Sequence, residues 1–471
     1  MCFWLAVSSS AQDRFRREAP DPDPLPVLNL PNIESYTLSN GLDLTVVRME
    51  KTPFIYLRMI INDGEGSSPE NLPGLATFAA HMLNKGASNL SSSQIEETIE
   101  SIGGYFSSVV YPDYSIFSFS FLEEHLEEAL DILSKMILEP DFLRLEIDLA
   151  KGNMRYNLLE DSADPEFLAK KIFYQLIFQN HRYQSMGFND DVIKNFSRDA
   201  LISYFDKHYK PNNSRIILIG NINLQTAARK VSHYFNTWKR ADLEKEVVTA
   251  PKPNDKTRIC YVEIQKTRNA TIFIGNTFSP EIKGRFIPFL VFNQVLGGTE
   301  NSRLIMNLRE SKSYAFWAYS EIELYKTFGL FYVRAMVQPE AVHPSVTEIL
   351  GEIQKTTQER IPNSDIEQAK SYLIGHFPLT IQNMDQFAQK VSKKAGLNLG
   401  DEYWEDYYEN MMLVNSDDVF DAVRKSSLLT PLVIIVGDSN TLESYMNEFD
   451  EVEVYDKYGN LRYTLKKGED L

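Results

Sequence analysis

The chain of 471 residues holds only two cysteines, Cys2 and Cys260, and seven histidines. Two thiols exclude a disulfide framework and a cysteine-built zinc site, but leave the compartment open, because a chain of this length needs no covalent staples. Basic residues are in deficit, 48 against 65 acidic, and the net charge of −17 argues against nucleic acid or an anionic membrane as the main partner. Such a charge suits a cationic peptide, although a solvated acidic surface is its commoner meaning. The apolar run Cys2–Ala11 is too short to span a bilayer, so no membrane span is expected. It ends in small residues ahead of Gln12-Asp13-Arg14, as a secretory signal does at its cleavage site, but it lacks the basic start. A truncated or atypical signal, and hence a periplasmic or exported protein, is the expectation; a cytosolic tail is the alternative. Asp21–Pro26 continues as a proline-stiffened arm, which places residues 1–33 outside the folded domains.

With 43% apolar residues, the chain can bury several cores, and its length suggests two to four domains. The same order of elements occurs twice. Strand-like runs at 42–48 and 54–61 precede a helix at 74–85, a capped helix at 93–102 that stops at Gly103-Gly104, strands at 105–110 and 114–121, and a long helix at 123–138. Helices around 142–159, 165–178 and 198–208 then lead to the buried strand 215–220 and the helix 224–235. The charged, proline-bearing stretch 239–257 is the best linker. After it, strands at 258–264 and 271–275, helices at 287–295 and 302–310, the strand pair 315–324 and 329–337 and later helices repeat the order. Leu432–Asp438 answers Ile216–Asn221, and each is followed by a helix. The chain therefore reads as an α+β protein built by duplication, with domains at 34–238 and 258–471.

The helix Gly74-Leu-Ala-Thr-Phe-Ala-Ala-His-Met-Leu-Asn-Lys-Gly86 carries a single histidine, His81. A lone histidine on an apolar helix face is more often packed and hydrogen-bonded than a metal ligand. The other six, His125, His181, His208, His233, His343 and His376, are scattered without ligand spacing. The stretch nevertheless resembles the zinc helix of the pitrilysin/insulinase (inverzincin) metallopeptidases, roughly G-L-A-H-F-x-E-H-M-L-F-x-G. There the histidines of H-x-x-E-H hold zinc and the glutamate is the general base. The matching positions are Thr77, Ala80 and His81. The family's third ligand is a glutamate further along, and counting back from Asp164-Pro165 its place falls on Asn157. A catalytic zinc needs three protein ligands, an open position for water and a nearby base. Thr77 is a poor ligand, Ala80 accepts no proton and the Asn157 amide lacks a carboxylate's charge. Glu160 is displaced by most of a turn and serves only if the register differs. No residue is therefore expected to be catalytic.

The resemblance covers about residues 34–449. It implies two insulinase-like domains, each a mostly antiparallel sheet with helices against one face, forming half of a clamshell. A second signature of the family, S-R-L-x-x-x-L-R-E-x-x-G-x-x-Y, supplies an Arg and a Tyr that bind substrate backbone and steady the oxyanion. Here it reads Ser302-Arg-Leu-Ile-Met-Asn-Leu-Arg-Glu-Ser-Lys-Ser-Tyr-Ala-Phe316. Arg309 matches the Arg, with a surface ion pair as its plainer role. Phe316 keeps the ring and loses the hydroxyl, and the strand register decides whether Tyr314 or Tyr319 can replace it. Gly297-Gly298 and the residues to Ser302 are too few and too poor in glycine for a glycine-rich substrate loop.

Three functions follow. The expected one resembles the non-catalytic subunits of mitochondrial-processing-peptidase-like heterodimers: a subunit that pairs with an active H-x-x-E-H homologue, binds peptide or unfolded polypeptide and lends Arg309 to the partner's site. On that reading this chain holds no cofactor and zinc belongs to the partner alone. The alternatives are a scaffold subunit without a peptidase partner, and a metallopeptidase with an altered site.

Overall fold

The computed structural model describes residues 31–50, 53–187, 189–243, 248–278, 286–400, 403, 406–438 and 448–467. The signal-like segment, the proline arm, positions 244–247 of the expected linker and the helix expected after Leu432–Asp438 lie outside them. Two sheets form the framework. The first contains β1 (Ile33–Thr37), β2 (Asp43–Arg48), β3 (Phe54–Ile61), β4 (Tyr105–Val110), β5 (Ser115–Leu122) and β6 (Ser214–Gly220). The second contains β7 (Arg258–Ile264), β8 (Ala270–Phe278), β9 (Ala315–Leu324), β10 (Gly329–Val337), β11 (Leu432–Asp438), β12 (Glu451–Tyr455) and β13 (Leu461–Lys466).

Their orders are β1-β2-β6-β3-β5-β4 and β13-β12-β7-β11-β8-β10-β9. Without β1 and the β12–β13 hairpin, the two orders coincide. The opening strand of each half, β2 or β7, pairs parallel with its closing strand, β6 or β11. The other strands of the shared order pair antiparallel.

The helices of the first half are α1 (Leu75–Met82), α2 (Ser92–Ser101), α3 (Leu126–Leu138), α4 (Arg144–Asp161), α5 (Pro165–Ile177), α6 (Asp190–Lys194), α7 (Arg198–His208) and α8 (Leu224–Phe235). Those of the second are α9 (Phe286–Gly297), α10 (Arg303–Ile305), α11 (Val342–Gln358), α12 (Asn363–His376), α13 (Met384–Leu397), α14 (Tyr407–Leu413) and α15 (Ser416–Arg424). Local chemistry sets several starts: Ser91 and Gln94 form a capping box on α2, and Asp164 caps α5 with Pro165 in its first turn. The helix expected at 302–310 is instead the short α10 followed by a π-helical turn, Met306–Ser311. There the amide of Lys312 reaches back to the Asn307 carbonyl (3.2 Å), one residue beyond α-helical spacing.

The strand alternation buries Leu57, Met59, Phe117, Phe119, Phe121 and Leu218 on one face of the first sheet, in a core with α1, α3, α7 and α8. Helix packing crosses the expected 239–257 boundary in both directions. From the first half, α5 lays Leu168, Ile172, Phe173 and Leu176 against Cys260, Val262, Phe273 and Ile434 of the second sheet. From the second half, α13 packs on β3 and β6 of the first sheet. There Asp385 pairs with the buried Arg58, and Gly396 lies so close to the Tyr114 ring that a Cβ would sit 2.6 Å from it. Each sheet thus has one face covered by a helix of the other half.

This exchange yields a prediction. Phe173 is fully buried and stacks near Phe273 and Tyr332, at centroid distances of 6.0 and 5.9 Å. Phe173→Ala should destabilise the protein by about 3–5 kcal/mol, read from urea unfolding followed at residues of the second half. A loss under about 1 kcal/mol would contradict the exchange.

Candidate functional site

The site is built from the loop that leaves β3 and enters α1. Asp63 fixes its start, accepting hydrogen bonds from Ser67 Oγ (2.7 Å) and Asn213 Nδ2 (2.6 Å) and pairing with His208 Nδ1 (2.9 Å). Arg182 holds its middle, donating to the Gly66 carbonyl (2.8 Å) and to Ser67 Oγ (2.7 Å). Gly74, at φ +89°, makes the left-handed turn into α1 that a side chain would resist.

Inside this loop the Glu65 carboxylate is buried beneath the first turn of α1. It accepts from the Gly74 amide (2.6 Å), the Thr77 amide (3.1 Å), Thr77 Oγ1 (2.7 Å) and Ser68 Oγ (2.7 Å). Burial raises its pKa, against the downward pull of these hydrogen bonds. The helix N-terminus, with unsatisfied amides and a positive dipole end, is the natural place for such an anion.

Thr77 is therefore engaged: its hydroxyl turns to Glu65. Ala80 is buried and has no donor or acceptor side chain. His81 is exposed, and desolvation by its surroundings, with a smaller effect from Lys85, lowers its pKa. Asn157 is exposed on α4, which packs beside α1. Glu160 accepts from the Tyr156 hydroxyl of its own helix (2.6 Å). Among the described residues no group of three or more His, Cys, Asp and Glu side chains is placed to hold a metal ion. One imidazole, one amide and a hydroxyl already committed to a carboxylate do not fit a catalytic zinc.

In the second half, Arg309 sits on the π-helical turn with 47% of its side chain exposed. Its Nη1 donates to Glu300 (3.2 Å), and Nε lies 3.7 Å from Glu310. The Tyr319 hydroxyl also donates to Glu300. Phe316, 49% exposed, falls at an irregularity of β9, where Ala315 pairs with Val337 and Trp317 with Met336. Tyr319 and Arg309 thus share the Glu300 carboxylate. Among the described residues no ion pair or hydrogen bond joins Arg309 to α1 or α4.

The sequence pattern offers Tyr319 as a candidate but not the carboxylates Glu65 and Glu300 that Thr77, Arg309 and Tyr319 bind. A carboxylate shortly before an N-terminal glycine turn, and a Glu next to Gly297-Gly298, were the only available signals.

Two α+β halves of one topology, each a mostly antiparallel sheet flanked by helices, define the class of fold. Residues 45–190 match the family described as Insulinase (Peptidase family M16), and residues 195–373 match Peptidase M16 inactive domain. Together these span more than half of the sequence, and the chain belongs to the M16 peptidase family. Among its relatives is the uncharacterized zinc protease YmxG of Bacillus subtilis, 24% identical over 77% of this chain and 87% of that protein. Another is the non-peptidase homolog YmxG of Helicobacter pylori, 21% identical over 69% and 76%. The crystal structure of a peptidase M16 inactive domain from Pseudomonas fluorescens shares the fold, with a TM-score of 0.79 at 20% identity over 86% of this chain and 98% of that one.

The loop network makes a pH prediction. Burial alone would raise the Asp63 pKa, but the His208 contact and the Ser67 and Asn213 hydrogen bonds outweigh it and hold it down at about 2. The folded pKa lies below the unfolded one, so the stabilisation is complete above about pH 4 and is lost as pH falls toward 2. Its size is about 2 kcal/mol. Asp63→Asn should remove it, flattening the acid limb of Tm against pH between about 4 and 2. An unchanged acid limb would contradict the network.

Proposed function

We propose that the chain is a non-catalytic M16 subunit that binds peptide or unfolded polypeptide and supports an active zinc-peptidase homologue in a heterodimer. The observation that carries this reading is the contrast between its two signature regions. Two of the three ligand positions are filled by a hydroxyl bound to Glu65 and by an amide, and the base position by a methyl group, while the substrate-directed Arg309 is kept and exposed. Zinc then belongs to the partner alone. The relative named as a non-peptidase homolog supports a family member without hydrolytic activity. Among the described residues no helix is long and apolar enough to cross a membrane. The signal-like residues Cys2–Ala11 favour export, to the periplasm or beyond, as the setting of the pair.

Arg309 provides the test. In a complex reconstituted with an H-x-x-E-H homologue recovered from native extract, a guanidinium facing developing oxyanion charge contributes a few kcal/mol, about a hundredfold in rate. An exposed ion pair such as that with Glu300 contributes under about 1 kcal/mol. Arg309→Ala should therefore lower kcat of the complex by about a hundredfold with assembly intact on size exclusion, and Phe316→Tyr should raise it modestly. Unchanged kinetics for both variants would favour the scaffold reading.

A further inference from the structure

We propose that the cavity between the first sheet and α13 binds an amphipathic anion, a molecule with an apolar body and one carboxylate or phosphate head. This goes beyond the peptide-binding reading and holds whether or not the chain pairs with a peptidase. The cavity has a volume of about 1020 Å³ and lies between β3, β4 and β5, helices α5 and α13, and the end of β9. Ligand pockets commonly enclose roughly 300–1,000 Å³.

The strand register orders its floor. Arg58, Ser118 and Ser107 stand abreast on three neighbouring strands, and the adjacent row on the same face is Ile60, Ile116 and Val109. A polar row therefore runs beside an apolar one, as an amphipathic ligand requires. The hydroxyls of Ser107, Ser118 and Ser120 line the cavity and have no hydrogen-bond partner among the described residues.

The opposite wall is α13, which contributes Lys390 and Lys393. Neither ammonium has a carboxylate within ion-pair distance among the described residues. Lys390 lies over the Phe377 ring, 4.3 Å from its centroid. The anions of the lining are committed elsewhere. Asp385 pairs with Arg58. Asp113 accepts from the Tyr183 hydroxyl and from the Lys326 amide (2.9 Å). Glu323 accepts from Tyr174 (2.6 Å), Tyr332 (3.0 Å), Tyr325 (3.2 Å) and Lys170 (3.3 Å).

Burial is the main cost to both ammonium groups; Lys393 adds to it at Lys390, and the more distant Glu323 carboxylate only partly offsets it at Lys393. Burial, and then Lys393, push the Lys390 pKa down to about 8, and burial lowers that of Lys393. A bound oxyanion would neutralise them and accept from the serine hydroxyls. In a chain of net charge −17, these enclosed cations, neither in a contact ion pair among the described residues, define the ligand's sign.

Calorimetric titration of the full chain at neutral pH with octanoate, octyl phosphate, octanol and inorganic phosphate tests the assignment. One or both octyl anions should bind at one per chain, at least about tenfold tighter than octanol or inorganic phosphate. The tighter of the two identifies a carboxylate or a phosphate head. Lys390→Met/Lys393→Met should weaken the anion at least about tenfold, leave octanol binding unchanged and not lower Tm. If that double variant fails to fold, Ser118→Ala should weaken the anion severalfold without loss of stability. Equal affinity for octanol and the octyl anions, unchanged anion binding in a folded variant, or no binding of either anion would overturn the proposal.

Discussion

A single buried carboxylate, that of Glu65, holds the first turn of α1, and the start of the helix is arranged around it. Alone, such a group would be costly in a dry environment. Here four donors face it, three of them from Gly74 and Thr77 at the start of the helix. The hydroxyl of Thr77 is one of them, so the residue in the first ligand position is part of the helix's own anchoring. The loop that delivers Glu65 is itself pinned by Asp63 and Arg182. The helix itself is a packed element of the first core.

The second constraint is the exchange of α5 and α13. An open sheet must have its faces covered, and here one face of each sheet is covered from the other half of the chain. The halves are consequently duplicates in topology while being dependent on each other for packing. The same arrangement encloses the cavity beside α13, which takes its walls from both halves.

The duplicated topology was legible because it rests on strands with strong periodicity. The pairing of Ile216–Asn221 with Leu432–Asp438 emerges as β6 and β11 in equivalent places. The edge strands β1 and β13 were not legible: most of their residues are exposed, so little apolar alternation marks them. Nor was the exchange, since an amphipathic helix advertises a buried face without saying which sheet it meets. At the candidate site the poor ligand chemistry of Thr77, Ala80 and Asn157 is a matter of residue type and needs no structure. The partners could not be read in the same way. Glu65 reaches Thr77 through a loop, and Tyr319 reaches Arg309 only by sharing Glu300, contacts that no local pattern encodes.

The account's central claim is that this chain has no functional zinc site of its own. Metal analysis by mass spectrometry on protein purified at neutral pH without chelators, followed by zinc titration, tests it most directly. The account predicts zinc far below one equivalent per chain and no saturable uptake at micromolar metal. Near-equimolar zinc that a chelator removes together with a peptide-cleaving activity would contradict it.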